Sequence, residues 1–127
     1  MEDYKELAAR YLADYQNLQK NVKRNEELLT AKVKSDVLED FIALNDDMYI
    51  ASRKNELLNI FKQKLEAILT KNGVISEDVI GTDFDSDKHD AIHSIESEQK
   101  GKVIDAIGML YTSNNIIIKK PKVIVGI

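Results

Sequence analysis

Residues 84–91, FDSDKHDA, and residues 116–125, IIIKKPKVIV, are the most distinctive segments of this chain, and they decide its fold. The first is dense in acidic and polar side chains. The second is rich in β-branched residues, which favour strands, and is interrupted by Lys-Lys-Pro-Lys. The two segments together predict a small β unit in the second half of the chain.

Glycine and proline divide the chain. All five glycines and the single proline lie after residue 72, so residues 3–72 contain no helix breaker. That stretch is rich in Leu, Ala, Glu, Lys and Gln, which favour helices. We therefore expect an α+β protein with two regions: a helical dimerisation region over residues 1–72 and a β domain over residues 73–127.

The first part of the helical region has a heptad pattern, which is typical of a parallel coiled-coil dimer. The pattern steps by four and three residues through Tyr4, Ala8, Tyr11, Tyr15, Leu18, Val22, Asn25 and Leu29. We predict that the seam between two copies consists of Tyr11, Tyr15, Leu18, Val22, Asn25 and Leu29. Asn25 either pairs across this seam or is exposed. A monomeric helical hairpin is the alternative.

A second helix is expected after a turn near residues 51–55. Its apolar face ends at Lys71-Asn72-Gly73, where Lys suits the negative end of the helix dipole and Gly permits a left-handed stop. One long and one short helix cannot cover all of this apolar surface. Two copies contributing four helical segments could form a small bundle.

Composition excludes several classes of function. The 127 residues are 43% hydrophobic and 31% charged, with a formal net charge of -4, which disfavours nucleic acid and anionic membranes as partners. There is no cysteine, and no stretch approaches the roughly 18 apolar residues of a membrane span. The first ten residues, MEDYKELAAR, resemble neither a secretory signal nor a transit peptide. We expect a cytoplasmic protein.

The acidic segment is the obvious candidate for chemistry. If Asp83 opened a calcium loop, Lys88 would replace the required Gly and Ser94 the bidentate Glu. His89 and His93 are four residues apart, but no HExxH glutamate lies between them. We therefore expect no metal, no cofactor and no enzymatic activity, although an enzyme that uses the His and Asp cluster stays open. The segment is interpreted as a polar turn that starts a short helix at Ser86 or Asp87.

Three lysines, Lys119, Lys120 and Lys122, flank the proline. On an acidic chain they are a weak signal for nucleic acid, and lysine with proline commonly protects the edge of a sheet. A solvated strand edge and a protein contact are the two interpretations that remain.

The order of parts resembles the GrpE family of nucleotide exchange factors. That family's C-terminal signature has Phe or Leu, then Asp or Asn, then His, and Ala after one further residue. Here these positions are Phe84, Asp85, His89 and Ala91. Its second half, an aromatic turn and a basic, β-branched strand, is matched by Tyr111, Ile118, Lys119, Val123 and Val125. Residues 16–18, 40–46 and 71–74 are similar to the family's helical motifs.

Several positions depart from the family pattern. Leu110 stands where a glycine is usual, Asn115 where an acid or glycine is usual, Lys119 where arginine is common and Pro121 where a small residue is usual. Lysine cannot reproduce a bidentate arginine contact, and proline lacks a backbone donor. These departures concern the affinity for a partner more than the fold.

The resemblance implies a stress-response co-chaperone. Such a protein is a homodimer whose β domain binds the nucleotide-binding domain of a DnaK-type chaperone, opens it and promotes ADP release. The candidate contact residues that it implies are Phe84, His89, Tyr111, Lys119 and Lys122, with Phe84 and Tyr111 also suited to structural roles. The alternative is a structural coiled-coil dimer whose β domain binds another protein.

Overall fold

The computed structural model describes residues 3–127 and confirms the predicted α+β fold. Within the described chain, two helices precede six short strands. The helices are α1 (Tyr4–Ser52) and α2 (Glu56–Lys71), and the strands are β1 (Ile75–Glu77), β2 (Asp90–Ile95), β3 (Val103–Ala106), β4 (Leu110–Ser113), β5 (Ile116–Lys119) and β6 (Lys122–Gly126). Neither helix has the length and apolar character that a membrane crossing requires, as far as residues 3–127 are concerned.

The helix boundaries agree with the predicted turn and stop signals. The Asn55 side chain caps α2 by accepting a hydrogen bond from the Leu57 N–H at 3.0 Å. At the other end Gly73 has a φ of 81°, and the Val74 N–H donates to the Leu69 carbonyl at 2.8 Å. Glycine therefore ends α2 and turns the chain into the β unit.

Contacts divide the chain into two units, residues 1–30 and residues 31–127. In the first unit the residues from Tyr4 onward belong to α1, and all six predicted seam side chains are exposed. The second unit contains the remainder of α1, α2 and all six strands. The predicted boundary between residues 72 and 73 stays a prediction, since in the second unit the helices share their core with strands.

The six strands form two three-stranded sheets. One sheet has the order β1-β4-β5 and is antiparallel throughout. The other has the order β2-β6-β3, with β2 parallel and β3 antiparallel to β6. The tail IIIKKPKVIV is therefore two strands in different sheets. Pro121 separates them because it cannot donate to a ladder. The edge interpretation of the lysines holds for β5 and is wrong for β6, which is the central strand of its sheet.

Two apolar clusters form the core of residues 31–127. The first joins both helices to the β1-β4-β5 sheet through Leu38, Ile42, Tyr49, Leu69, Val74, Met109 and Tyr111, with Ile118 packed against it. The second lies with the β2-β6-β3 sheet and contains Val79, Val103, Ala106, Leu110 and Val123, with Phe84, Ile117 and Val125 packed against it. Leu110, one of the departures from the family pattern, is thus a core residue.

The predicted helix start at Ser86 or Asp87 is wrong. The Asp85 carbonyl accepts from the N–H groups of Lys88 at 3.0 Å and His89 at 2.8 Å, which closes a turn. The next N–H, that of Asp90, instead donates to the Pro121 carbonyl at 2.9 Å and draws the chain into β2. Strand pairing therefore begins at Asp90, and the helical turn does not continue.

The β4–β5 hairpin explains another departure from the family pattern. Asn114 and Asn115 have φ values of 52° and 63°, the left-handed pair that a two-residue primed hairpin turn requires. We expect Asn115→Gly to raise the free energy of unfolding by about 0.5 kcal/mol, because relief of the left-handed penalty slightly exceeds the added entropy of glycine. Urea unfolding of both proteins would measure this, and a destabilised variant would contradict it.

Candidate functional site

A buried carboxylate on α1 connects the helix to the β unit. Ile42 and Tyr49, which are four and three residues away from Asp46, face the core and bring Asp46 to the same side of the helix. The Asp46 carboxylate accepts from the Met109 N–H at 3.0 Å, the Tyr111 hydroxyl at 2.7 Å and the Lys119 ammonium at 2.8 Å. One side chain therefore ties α1 to both strands of the β4–β5 hairpin.

Tyr111 is the centre of this polar network and has no exposed surface. Its hydroxyl accepts a hydrogen bond from the Asn45 side-chain amide at 2.9 Å while donating to Asp46. Burial raises the pKa of Tyr111 well above its usual value, the Asn45 donor lowers it and the Asp46 carboxylate raises it further. The hydroxyl therefore stays protonated and acts as a fixed donor.

Gly108 allows the backbone to approach this carboxylate. A Cβ at this position would lie 2.9 Å from the Asp46 carboxylate atoms, closer than packing permits. Because three hydrogen bonds hold Asp46, the carboxylate cannot move aside cheaply. The backbone before β4 therefore requires glycine here.

The five predicted contact residues differ widely in exposure. Tyr111 and His89 are buried, at 0% and 5% exposed, and Phe84 is half-buried against the second core cluster. Lys119 is half-exposed and is paired with Asp46, whereas Lys122 is exposed. In this conformation Tyr111 offers no surface to a partner. The surface that remains for contact is at Lys119 and Lys122, with a smaller contribution from Phe84.

The structure brings Lys119 and Lys122 together in one shallow groove of about 290 Å³, here called the lysine groove. Exposed apolar side chains from α1 and from the loop after β3 line it as well, namely Ile50 at 39% and Ile107 at 51% exposure. The complete lining is Ala43, Asp46, Asp47, Ile50, Ile107, Lys119, Lys120, Pro121 and Lys122. Cationic heads beside uncovered isoleucines suit an acidic, partly apolar protein surface.

Phe84 and His89 lie together in a different groove of about 580 Å³. Their ring centroids are 5.8 Å apart, and the His89 Nδ1 accepts the Asp85 N–H at 3.1 Å, which holds the acidic turn closed. Burial lowers the pKa of His89, against the opposing effect of the Asp85 carboxylate. Among residues 3–127 no group of three or more His, Cys, Asp or Glu side chains is placed to hold a metal ion.

A second set of polar contacts holds the end of α1 against the β unit. The Arg53 guanidinium donates to the Asp105 carboxylate and the Ala106 carbonyl, both at 2.8 Å, and its Cζ lies 4.6 Å from the centroid of the Tyr49 ring. The Tyr49 hydroxyl in turn donates to Asp78 at 2.8 Å. Burial, and then the hydrogen bond to Asp78, raises the pKa of Tyr49 to about 12. The contacts of Arg53 with Asp105 and Ala106 fix the end of α1 to β3.

The sequence interpretation missed Asn45, Asp46 and Arg53. A signal for the first two was present, because they lie on the helix between Ile42 and Tyr49, at positions that share the apolar face. Polar residues at such positions are buried only when they are paired. No comparable signal marks Arg53, since its partners are 52 and 53 residues away in sequence.

Comparison with known proteins identifies the family. The GrpE family model matches residues 1–126. The chain is similar to a protein named Protein GrpE from Thermoplasma volcanium, with 32% identity over 117 residues, covering 90% of this chain and 66% of the relative. Proteins of the same name from Porphyromonas gingivalis and Bacteroides fragilis are 30% and 29% identical, covering 92% and 99% of this chain and 67% and 71% of the relatives. The fold, the two C-terminal segments and these matches agree, and the chain belongs to the GrpE family.

Proposed function

We propose that the protein is a co-chaperone, a nucleotide exchange factor that promotes ADP release from a DnaK-type chaperone in the cytoplasm. The observation that carries the proposal is the family match over residues 1–126. The lysine groove, between α1 and the β unit, is consistent with binding to another protein. In this proposal the chain performs no covalent chemistry.

The proposed mechanism is a shift of population. A factor that binds the open nucleotide-binding domain more tightly than the closed one moves the chaperone toward the open state, from which ADP leaves. A preference of about 5.5 kcal/mol moves an equilibrium from 1:99 to 99:1. An interface of roughly 800 Å² on each partner can supply energy on that scale.

The proposed contact surface is the lysine groove, and Phe84, in the other groove, is an additional candidate contact. Lys122 is exposed and, among the described residues, forms no ion pair, so its charge is available to a partner. Lys119 is held by Asp46 and contributes a fixed ammonium. In this arrangement Tyr111 and His89 act indirectly: Tyr111 holds the hairpin on α1, and His89 closes the acidic turn.

The proposed homodimer rests on uncovered apolar surface. In residues 3–30 the apolar seam side chains are exposed, from 47% at Val22 to 63% at Tyr11. In residues 31–72 a separate set of apolar side chains is also exposed, namely Val33, Val37, Phe41, Leu44, Leu57, Ile60, Phe61 and Ile68. Exposed apolar side chains that recur along one face of a helix suit a partner helix, and a second copy could cover them.

The exchange activity can be tested directly. We expect the purified protein, in micromolar excess, to accelerate the release of fluorescently labelled ADP from a DnaK-type chaperone of the same organism. An unchanged release rate would refute the exchange function. If the protein then retained its dimeric mass and captured a different partner, it would be the structural coiled-coil module instead.

Lys122→Glu tests the contact surface without disturbing the core. We expect half-maximal acceleration of ADP release to require about tenfold more of this variant, because the partner loses an attractive charge and meets a repulsive one. Lys64→Glu, an equal charge change at an exposed position on α2, should behave as wild type. Lys119→Ala should also weaken exchange, but it removes the ion pair with Asp46 as well. Equal activity of the Lys122 and Lys64 variants would remove Lys122 from the surface.

A further inference from the structure

Strand β2 leaves one edge of its sheet open. In the order β2-β6-β3 it is a terminal strand, and all six of its residues are exposed. Two of these exposed residues are apolar, Ile92 at 49% and Ile95 at 38% exposure. Neither Lys nor Pro lies within β2 to protect the edge.

The hydrogen bonds show which backbone groups face this open edge. The Ile95 carbonyl accepts from the Ile127 N–H at 2.9 Å, and the Ser97 N–H donates to the Ile127 carbonyl at 3.2 Å. Residues 95 and 97 therefore face the neighbouring strand. Because successive residues of an extended chain point to opposite sides, Ser94 and Glu96 present their N–H and carbonyl groups to the free edge. The register irregularity between Ala91 and His93 confines this regular edge to residues 93–97.

Both ends of the edge are acidic. Asp85, Asp87 and Asp90 precede or begin the strand, and the cations at that end are Lys88 and Lys122, which lies opposite Asp90 on β6. Glu96 and Glu98 follow the strand with Lys100 beside them, so carboxylates outnumber lysines at both ends. None of these five carboxylates takes part in an ion pair with another described residue. A groove of about 610 Å³, lined by Glu96, Ser97, Glu98, Lys100 and Ile127, continues the edge beyond the strand.

This charge pattern selects the occupant. A second copy of β2, in either direction, would bring acidic ends against acidic ends, and like charges disfavour that pairing. We propose that the β2 edge binds an extended peptide of another protein by strand addition, and that this peptide has an apolar centre with Lys or Arg at both ends. Backbone hydrogen bonds to Ser94 and Glu96 align the peptide, and the acidic ends select its charge.

A pair of peptides tests the proposal. The probe is a fluorescent Lys-Lys-Val-Thr-Val-Ile-Val-Lys-Lys, and its control has Glu in place of each Lys. We expect the lysine peptide to bind the full chain with a dissociation constant below about 100 µM, and the glutamate peptide to bind at least tenfold more weakly. Binding should slow the hydrogen exchange of the Ser94 and Glu96 amides. Absence of binding up to about 1 mM would overturn the proposal.

Two variants separate charge from backbone pairing. Glu96→Lys combined with Glu98→Lys should weaken binding of the lysine peptide at least tenfold. Asp36→Lys combined with Asp40→Lys, an equal charge change at exposed positions on α1, should leave its binding unchanged. Ser94→Pro removes an outward N–H and should abolish binding, whereas Ser94→Ala should retain it. Unchanged affinity in the double Glu variant would overturn the proposal even if Ser94→Pro failed to fold. Self-association that Ser94→Pro abolished would overturn it too, since the occupant would then be a second copy.

Discussion

Replacing Asp46 on α1 with Ala is expected to lower the free energy of unfolding by about 4 kcal/mol, the largest effect predicted for any single side chain that contacts the β unit. The change leaves the Met109 N–H and the Tyr111 hydroxyl buried without an acceptor, and each orphaned donor costs about 1–3 kcal/mol. Lys119 loses its partner as well, at smaller cost because its ammonium reaches solvent. Urea unfolding followed by circular dichroism measures the loss.

The neighbouring Asp47 provides the control. It is exposed on the same helix, so Asp47→Ala should change the free energy of unfolding by no more than about 0.5 kcal/mol. Tyr111→Phe should remove part of the same network. The double variant should therefore lose less unfolding free energy than the sum of the two single variants, by at least about 1 kcal/mol. A loss below about 1 kcal/mol for Asp46→Ala would show that the network does not hold the hairpin on α1.

Leu18→Glu combined with Val22→Glu is expected to convert a dimer into a monomer. Each buried Leu or Val contributes about 1.5–3 kcal/mol, so four substituted side chains in two copies forfeit at least about 6 kcal/mol before any repulsion between the new carboxylates. That loss weakens the dimerisation constant by roughly four orders of magnitude. Light scattering over a concentration series should give the mass of one chain.

Ala13→Glu with Asn17→Glu is the matched control. These positions are also four residues apart and exposed, receive the same charge, and lie on the opposite face of the helix. This variant should keep the dimer mass. A wild-type protein with a monomer mass at every concentration would refute the proposed dimer, and equal masses of the two variants would move the seam away from Leu18 and Val22.

Local sequence signals were sufficient for the helices and their boundaries. The lack of breakers before Gly73, the turn near residues 51–55 and the left-handed stop at Gly73 each act within a few residues, and the structure has all three. The strands were harder, because pairing is decided at long range. Pro121 appears in the sequence as an interruption of one strand, and only the pairings show that the two halves belong to different sheets.

The failed helix at residues 86–87 has the same cause. Residues 85–87 have the composition of a helix start. The Asp90 N–H, however, donates to the carbonyl of Pro121, which is 31 residues away in sequence. The contact candidates at Tyr111 and His89 came from a signature that cannot distinguish a residue that touches a partner from one that holds the touching residue in place. The exposed fraction of each side chain separates the two kinds of residue. The exposed residues of the lysine groove include Lys122, Ile50 and Ile107.

Strand β4 has a consequence for how residues 31–127 come apart. Met109 and Tyr111 belong to the first core cluster, while Leu110 between them belongs to the second. Unfolding of residues 109–111 would therefore remove side chains from both core clusters at once. The two sheets should behave as one cooperative foldon, in which the slowest-exchanging amides of both sheets share a single opening free energy and respond together to denaturant.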